Sequence, residues 1–491
     1  MRGESAMAKY RCPMCGWIYD EDVEADPFSS LDACLLCGTP ASEFYLMEPE
    51  ENEAALHEID EVAAAKSAAA GISAMPAPDP DNPLATPASL RRDDPSIRHM
   101  ATIHALAEHG RVADGAMATD LPLPRWEDIL VLGAQLDPMP LAEDADVDLT
   151  TVIGPCAARP LVLDGPAFVS HMSFGALSAE AKVALARGAS AAGTAMCSGE
   201  GGILPAEQRA STKYIFEYAP NAYSVTDENL QAADAIEIKI GQGTKPGMGG
   251  HLPGTKVTDE IARIRGREPG EDIISPSTIP GVESTRDLRK LVDELRERSQ
   301  GAPIGIKLAA GHIERDITAA CTAGADFITI DGRGGATGAS PVMLRDASSV
   351  PTIYALARAR RQLDKLDPEG RVSLIITGGL RVAADIVKAL AMGADAVALA
   401  SASLMALGCQ QYRICGGGRC PMGIATQDPA LRAHLDVDAG AKRVENFYRA
   451  TFDDLRMFCR VMGHTNVCEL SLDDLVTTDR DIAEWCDIAH A

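Results

Sequence analysis

The chain has 491 residues, 46% of them hydrophobic, and a net charge of −26 with a pI near 4.8. It is long enough for a large core plus a second unit, and its acidity argues against nucleic-acid and anionic-membrane binding, which need basic surfaces. The polar opening MRGESAMAKY lacks a signal-peptide core, and no apolar run reaches the roughly 20 residues of a membrane span. Thirteen cysteines in a chain this long point to metal sites in a reducing cytoplasm rather than to a disulfide framework. Met7, opening MAKYRC, is the expected initiator, with MRGESA a dispensable leader.

Residues 8–47 carry two C-x-x-C-G knuckles, Cys12/Cys15 and Cys34/Cys37. The glycine of each turn lets backbone amides point at the sulfurs, so the four thiolates suit one tetrahedral metal. Too few apolar residues are present for a self-sufficient core, and the metal must supply stability. Spacing leaves iron and zinc both open. With Tyr10, Trp17 and Tyr19 around the first knuckle, the unit resembles a rubredoxin, which implies an iron that carries one electron. Its second knuckle reads CLLCG where a rubredoxin has CPxCG, which keeps a structural zinc ribbon open.

Residues 48–95 change to Ala, Glu, Pro and Asp, a short helix followed by a Pro-rich linker. The remainder, 96–491, alternates short apolar runs with helical patterns. Candidate strands are 167–173, 193–198, 235–240, 272–277, 303–310, 326–331, 373–379 and 396–401. Eight such runs predict an α/β fold, a (β/α)8 TIM barrel, with 96–160 as an entry segment and closing helices after 402.

In such a barrel, reactive side chains project from the C-terminal strand ends. The segments 373–381 and 398–403 end in small residues just ahead of a helix, where backbone amides can face a phosphate. Gly378, Gly379, Ala400 and Ser401 are therefore the expected cradle of a flavin phosphate. The glycine-rich loop after 326–331 adds Asp331, Gly334, Gly335 and Thr337. Lys307, at an apolar strand end, is placed to stabilise the anionic reduced flavin ring.

Glu200 lies in SGEGG; Lys239, Gln242, Lys245 and His251 follow in the next glycine-rich loop, and Arg265 on the helix beyond. These loops are expected after the second and third strands. Three cations converging there suit a dicarboxylate, because they offset its desolvation. Cys409, Cys415 and Cys420, spaced C-x5-C-x4-C-P on a glycine-rich loop, are what an iron–sulfur cluster needs. The chain is thus expected to move electrons. The other six cysteines are expected to be mostly buried small hydrophobes.

HMSFGALS, SGEGG, IEIKIGQGTKPGMGGHLPGTKV, TIDGRGGATGASP and CGGGRCPMGIATQDP closely resemble the FMN-binding synthase domain of glutamate synthase, from about 100 to 470. With the rubredoxin-like unit, the resemblance is to the short, archaeal-type form. It implies a [3Fe-4S] cluster on Cys409, Cys415 and Cys420, FMN beside Ser173 and Lys307, and its phosphate near Gly378 and Gly379. It also implies 2-oxoglutarate or its imine among Glu200, Lys239, Lys245 and Arg265, with Lys307, Glu200 and Lys239 catalytic. The implied reaction is reductive amination of 2-oxoglutarate to L-glutamate.

The family's KPGEGGQLPG reads KPGMGGHLPG here, so Met248 and His251 replace a Glu and a Gln, with His251 expected to donate to the substrate carboxylate. No glutaminase counterpart precedes the barrel and no nucleotide-binding G-x-G-x-x-G follows a strand. Ammonia is expected free or from a separate glutaminase, and electrons from an NAD(P)H-oxidising flavoprotein subunit or a ferredoxin. Two other readings are an N-methylglutamate synthase-type subunit, whose family generally lacks the three-cysteine loop, and a non-catalytic electron-transfer subunit.

Overall fold

The computed structural model describes residues 8–14, 18–20, 27–34, 39–47, 84–86, 90–92, 94, 96–110, 114–338 and 340–491. Cys15, Trp17, Cys37 and most of the expected linker lie outside the described residues. The chain forms two compact units, Met1–Gly110 and Arg111–Ala491.

In the first unit, Lys9–Arg11 pairs antiparallel with Ile18–Asp20 and with Tyr45–Leu46. Tyr10 stacks on Phe28 at 3.8 Å, and Tyr19 and Phe44 close on the same ring at 5.4 and 5.5 Å. This aromatic cluster stands in for an aliphatic core. Cys12 and Cys34 are both buried.

The second unit is a closed parallel barrel of eight strands. They are β1 (Ala167–Val169), β2 (Met196–Cys197), β3 (Tyr214–Tyr218), β4 (Ala235–Lys239), β5 (Ile304–Ala309), β6 (Phe327–Asp331), β7 (Ser373–Thr377) and β8 (Ala396–Leu399). Val397 pairs with Ala167 and Val169 with Met196, which closes the ring. Seven of the expected runs supply strands; the eighth does not. Ile273–Ile274, inside the expected strand 272–277, pairs antiparallel with His251–Leu252 in a hairpin outside the barrel. The true third strand is Tyr-Ile-Phe-Glu-Tyr at 214–218, where Glu217 breaks the apolar run and hides the strand from a search for continuous hydrophobicity. Lys239 therefore ends the fourth strand and not the third.

Helices ring the barrel with one apolar face each. In Thr285–Arg298, Ser284 caps the start by accepting from Asp287 N, and Leu288, Val292 and Leu295 turn inward at helical spacing. Each such side chain contributes about 1.5–3 kcal/mol by leaving water. The hairpin Thr151–Ile153/Leu161–Leu163 contributes Ile153, Leu161 and Leu163 to the same apolar cluster as the barrel's Phe168, Ile215, Phe327 and Ile375. Of the six scattered cysteines, Cys197, Cys459 and Cys486 are buried, whereas Cys321 is half-buried and Cys156 and Cys468 are exposed. An exposed thiol on a loop has nothing to pack against, so "mostly buried" is corrected to half.

One fully buried ammonium ties two strand ends together. Lys182, on helix Ala179–Ala191, donates to the carbonyls of Met172, Cys197 and Ser198 at 2.5, 3.2 and 2.9 Å and pairs with Glu207 at 3.1 Å. Burial pushes the Glu207 carboxyl up to about 7 despite Lys182 and Tyr214. Lys182→Met should cost about 3–5 kcal/mol in urea unfolding, since it strands a buried carboxylate and three carbonyls. Because folding raises the Glu207 pKa, its stabilising contribution is complete below pH 4.5 and fades as pH climbs to about 7. The stability of wild type relative to Glu207→Gln should therefore fall across that interval.

Candidate active site

The barrel interior changes character along its axis. Side chains alternate along each strand, so Ile215 and Glu217, Ala235, Glu237 and Lys239, and Phe327, Thr329 and Asp331 form three inward rows. Their lower members are apolar and their upper members polar. Glu217 and Glu237 are register partners on adjacent strands, as are Lys239 and Lys307.

Two neighbouring carboxylates in a low-dielectric interior need cations, and β1 and β5 bring them. His171, just past β1, sets Nε2 against Glu237, while its Nδ1 meets Ser170 Oγ at 3.0 Å. Thr329 donates to the other Glu237 oxygen. Burial disfavours the His171 charge, but Cys197 and the Glu237 and Glu217 carboxylates outweigh both burial and Lys307, raising the imidazole to about 10. Lys307 is likewise held charged: burial works against it, but Glu217, Asp331 and Glu237 prevail and raise its pKa. Its Nζ lies 3.8 Å from Asp331.

Above this floor a cavity opens at the C-terminal end of the barrel. Ser173, Lys307, Asp331, Gly335 and Thr337 line it on one side, and Gly378, Gly379, Ala400 and Ser401 on another. Gly378 adopts φ +113°, and a Cβ there would meet Gly332 O at 2.8 Å and Gly332 N at 3.0 Å, so only glycine lets this turn lie flat against the β6 loop. Gly334 lies outside the cavity lining and packs beneath the turn, where a Cβ would stand 2.5 Å from Gly378 O. This narrow, backbone-walled cleft fits a flat ring and a phosphate.

The third wall is cationic. Glu200, Gln242, Lys245, His251 and Arg265 line it. Lys239 stands behind, its ammonium in contact with Glu200. Burial opposes ionisation of Glu200, yet Lys239, Lys245 and Arg265 together lower its pKa. Three cations against one carboxylate sum to two positive charges, the complement of a dicarboxylate. Arg265 donates Nη2 to Phe174 O at 2.7 Å and lies 5.6 Å from the Tyr223 ring, with its Nε buried and without a hydrogen-bond partner. His251 meets Asp272 at 2.8 Å on the rim, and Met248 is exposed.

Cys409, Cys415 and Cys420 line the same cavity. Burial and the neighbouring thiols Cys409 and Cys420 push the Cys415 thiol up, so its ionised form calls for a compensating charge such as a metal. Gln411 donates from its backbone and side-chain nitrogens to Cys409 Sγ at 3.4 and 3.3 Å, the kind of contact a thiolate ligand receives. The donor set fits an iron–sulfur cluster.

Sequence reading missed His171, Cys197, Glu217, Glu237 and Lys256. A signal was present for Glu237, since Ala-Ile-Glu-Ile-Lys places a charge at every second position of a strand. His171 and Glu217 acquire meaning only when the barrel closes.

A closed parallel barrel with a charged, thiol-flanked cavity at its C-terminal strand ends is a (β/α)8 barrel with its site where enzymes of this fold carry theirs. A family model, the conserved region in glutamate synthase, matches residues 98–465. The chain is 37% identical over 411 residues to the archaeal-type glutamate synthase [NADPH] of Thermotoga maritima, covering 76% of this chain and 80% of that protein. It is 34% identical to a glutamate synthase large subunit-like protein of Rhizobium meliloti, covering 80% and 93%. Among solved structures, a point mutant of the active chimera of (S)-mandelate dehydrogenase matches with a TM-score of 0.50 at 16% identity, covering 76% and 94%, a likeness of fold alone. The chain belongs to the glutamate synthase family.

Lys307→Met should destabilise the barrel by about 3–5 kcal/mol in chemical unfolding, because Glu217 and Glu237 lose one of their two cations. Adding Glu217→Gln should recover part of that loss in a double-mutant cycle.

Proposed function

We propose that the protein makes L-glutamate by reductive amination of 2-oxoglutarate with ammonia, free or supplied by a partner glutaminase. The observation that carries this is the doubly positive wall of Lys239, Lys245, Arg265 and Glu200 facing Lys307 and the glycine cleft across one cavity. When bound, FMN supplies hydride and the [3Fe-4S] cluster passes single electrons to it.

The chain's own groups do the rest. Lys245 and Arg265 hold the two carboxylates, and His251 stands at the rim with its Nε2 held by Asp272. Lys239 and Glu200, in contact, can pass one proton toward the carbonyl oxygen as water leaves on imine formation. Lys307 offsets negative charge at the ring edge, with Ser173 beside it, while Gly378, Gly379, Ala400 and Ser401 present backbone amides to the phosphate. Asp331, Gly334 and Gly335 shape the loop below. In the first unit Cys12 and Cys34, with Cys15 and Cys37, would hold rubredoxin-type iron or zinc. Relatives bear names ending in NADPH, which supports an NAD(P)H-oxidising flavoprotein subunit as donor, with a ferredoxin as the other option. No helix among the described residues is long and apolar enough to cross a membrane.

Titrating the oxidised flavoprotein with 2-oxoglutarate should perturb the flavin spectrum, and Lys245→Met should weaken that response about 10- to 100-fold, the worth of one charge-assisted contact. No spectral response in flavin-replete wild type would reject the dicarboxylate site. Lys307→Met should lower turnover by about 100-fold or more with flavin still bound.

A further inference from the structure

Lys256 is a buried lysine that none of the described carboxylates pairs with. Lys256 is only 4% exposed. Its Nζ donates to Ala176 O at 3.1 Å and to Cys415 O at 3.3 Å, and among the described residues no carboxylate lies within ion-pair distance. The stem lies over the thiol loop, where a Cβ on Gly418 would stand 3.2 Å from Lys256 Cγ. Lys256 ends the short turn Gly254–Lys256, directly after the hairpin strand His251–Leu252 and just before the helix that carries Arg265. The side chain thus runs from the cationic wall to the three-cysteine loop.

Lys256 lines the same cavity, yet a charge with so little of its side chain in contact with solvent calls for an opposite charge. The two carbonyl dipoles, of Ala176 and Cys415, supply only part of that. The remaining anion at hand is the thiol cluster itself, once its sulfurs are deprotonated by iron. Three thiolates around an iron–sulfur core carry net negative charge, and reduction adds one more unit, so a fixed neighbouring cation stabilises the reduced form over the oxidised one.

We propose that Lys256 is the counter-ion of the three-cysteine iron–sulfur centre, a positioning residue that raises its reduction potential and anchors its loop to the substrate-binding lobe. The proposal rests on the reading of Cys409, Cys415 and Cys420 as cluster ligands. It differs from the roles of Lys239 and Lys245, which face the substrate wall.

The test is an EPR-monitored redox titration of the full-length holoprotein as wild type, Lys256→Gln and Lys256→Arg, with iron content measured alongside. Glutamine keeps the capacity to donate to both carbonyls but loses the charge; arginine keeps the charge. The expected result is a lower midpoint potential in Lys256→Gln, a near-wild-type value in Lys256→Arg, and full iron in both. Loss of the cluster in the glutamine variant with retention in the arginine variant equally assigns the role to charge. An unchanged potential in Lys256→Gln with the cluster intact overturns the proposal, as does loss of the cluster in both variants, which would make the contact one of shape. A wild-type protein without iron or an EPR signal would instead reject the cluster reading beneath it.

Discussion

Glu217 and Glu237 stand side by side on adjacent parallel strands, inside a barrel that admits little water. Two carboxylates so placed repel each other and pay desolvation, and the strands tolerate them only because His171 and Lys307 face them from β1 and β5. That four-group arrangement fixes which strand ends must meet. It also brings the Lys307 ammonium to the cavity floor without leaving an unpaired ion, since the two cations are matched by the two carboxylates. Such pre-arranged charge is the resource a redox site draws on when electrons arrive, because no reorganisation is needed at that moment.

Around this floor the site divides by chemistry. The walls from β6 to β8 are mainly backbone and glycine, suited to a flat cofactor approached closely. The wall from the lobe after β4 is cationic and suited to a dianion. The three-cysteine loop after β8 completes the rim, and Lys256 reaches it from the lobe. The cationic wall, the glycine cleft and the thiols thus share one cavity, which shortens every transfer the proposed reaction requires. Lys182 holds the carbonyls of Met172, Cys197 and Ser198, so the ends of β1 and β2, which carry His171 and Glu200, keep their spacing.

Much of this was legible from the residues in order. The thiol spacing, the Gly-Gly turn and the cationic loop are local motifs whose chemistry survives without a fold, and seven of eight strands announced themselves as apolar runs. What escaped did so for physical reasons. Tyr214–Tyr218 is a strand with a buried Glu at its centre, and its charge makes sense only opposite Glu237, His171 and Lys307. The segment 272–277 has strand composition, but only Ile273–Ile274 finds a partner, in a short antiparallel hairpin. Lys256 reads as one more surface lysine until its lack of a carboxylate is set beside the sulfurs it approaches.

The most direct test of the account is an anaerobic half-reaction. The flavin- and cluster-replete protein is reduced, then mixed with 2-oxoglutarate, with ammonium, and with both, while flavin absorbance and amino-acid product are followed. The account predicts reoxidation only when both are present, with L-glutamate formed in step with oxidised flavin. Reoxidation by either compound alone, or none with both while flavin and cluster remain bound, would contradict it.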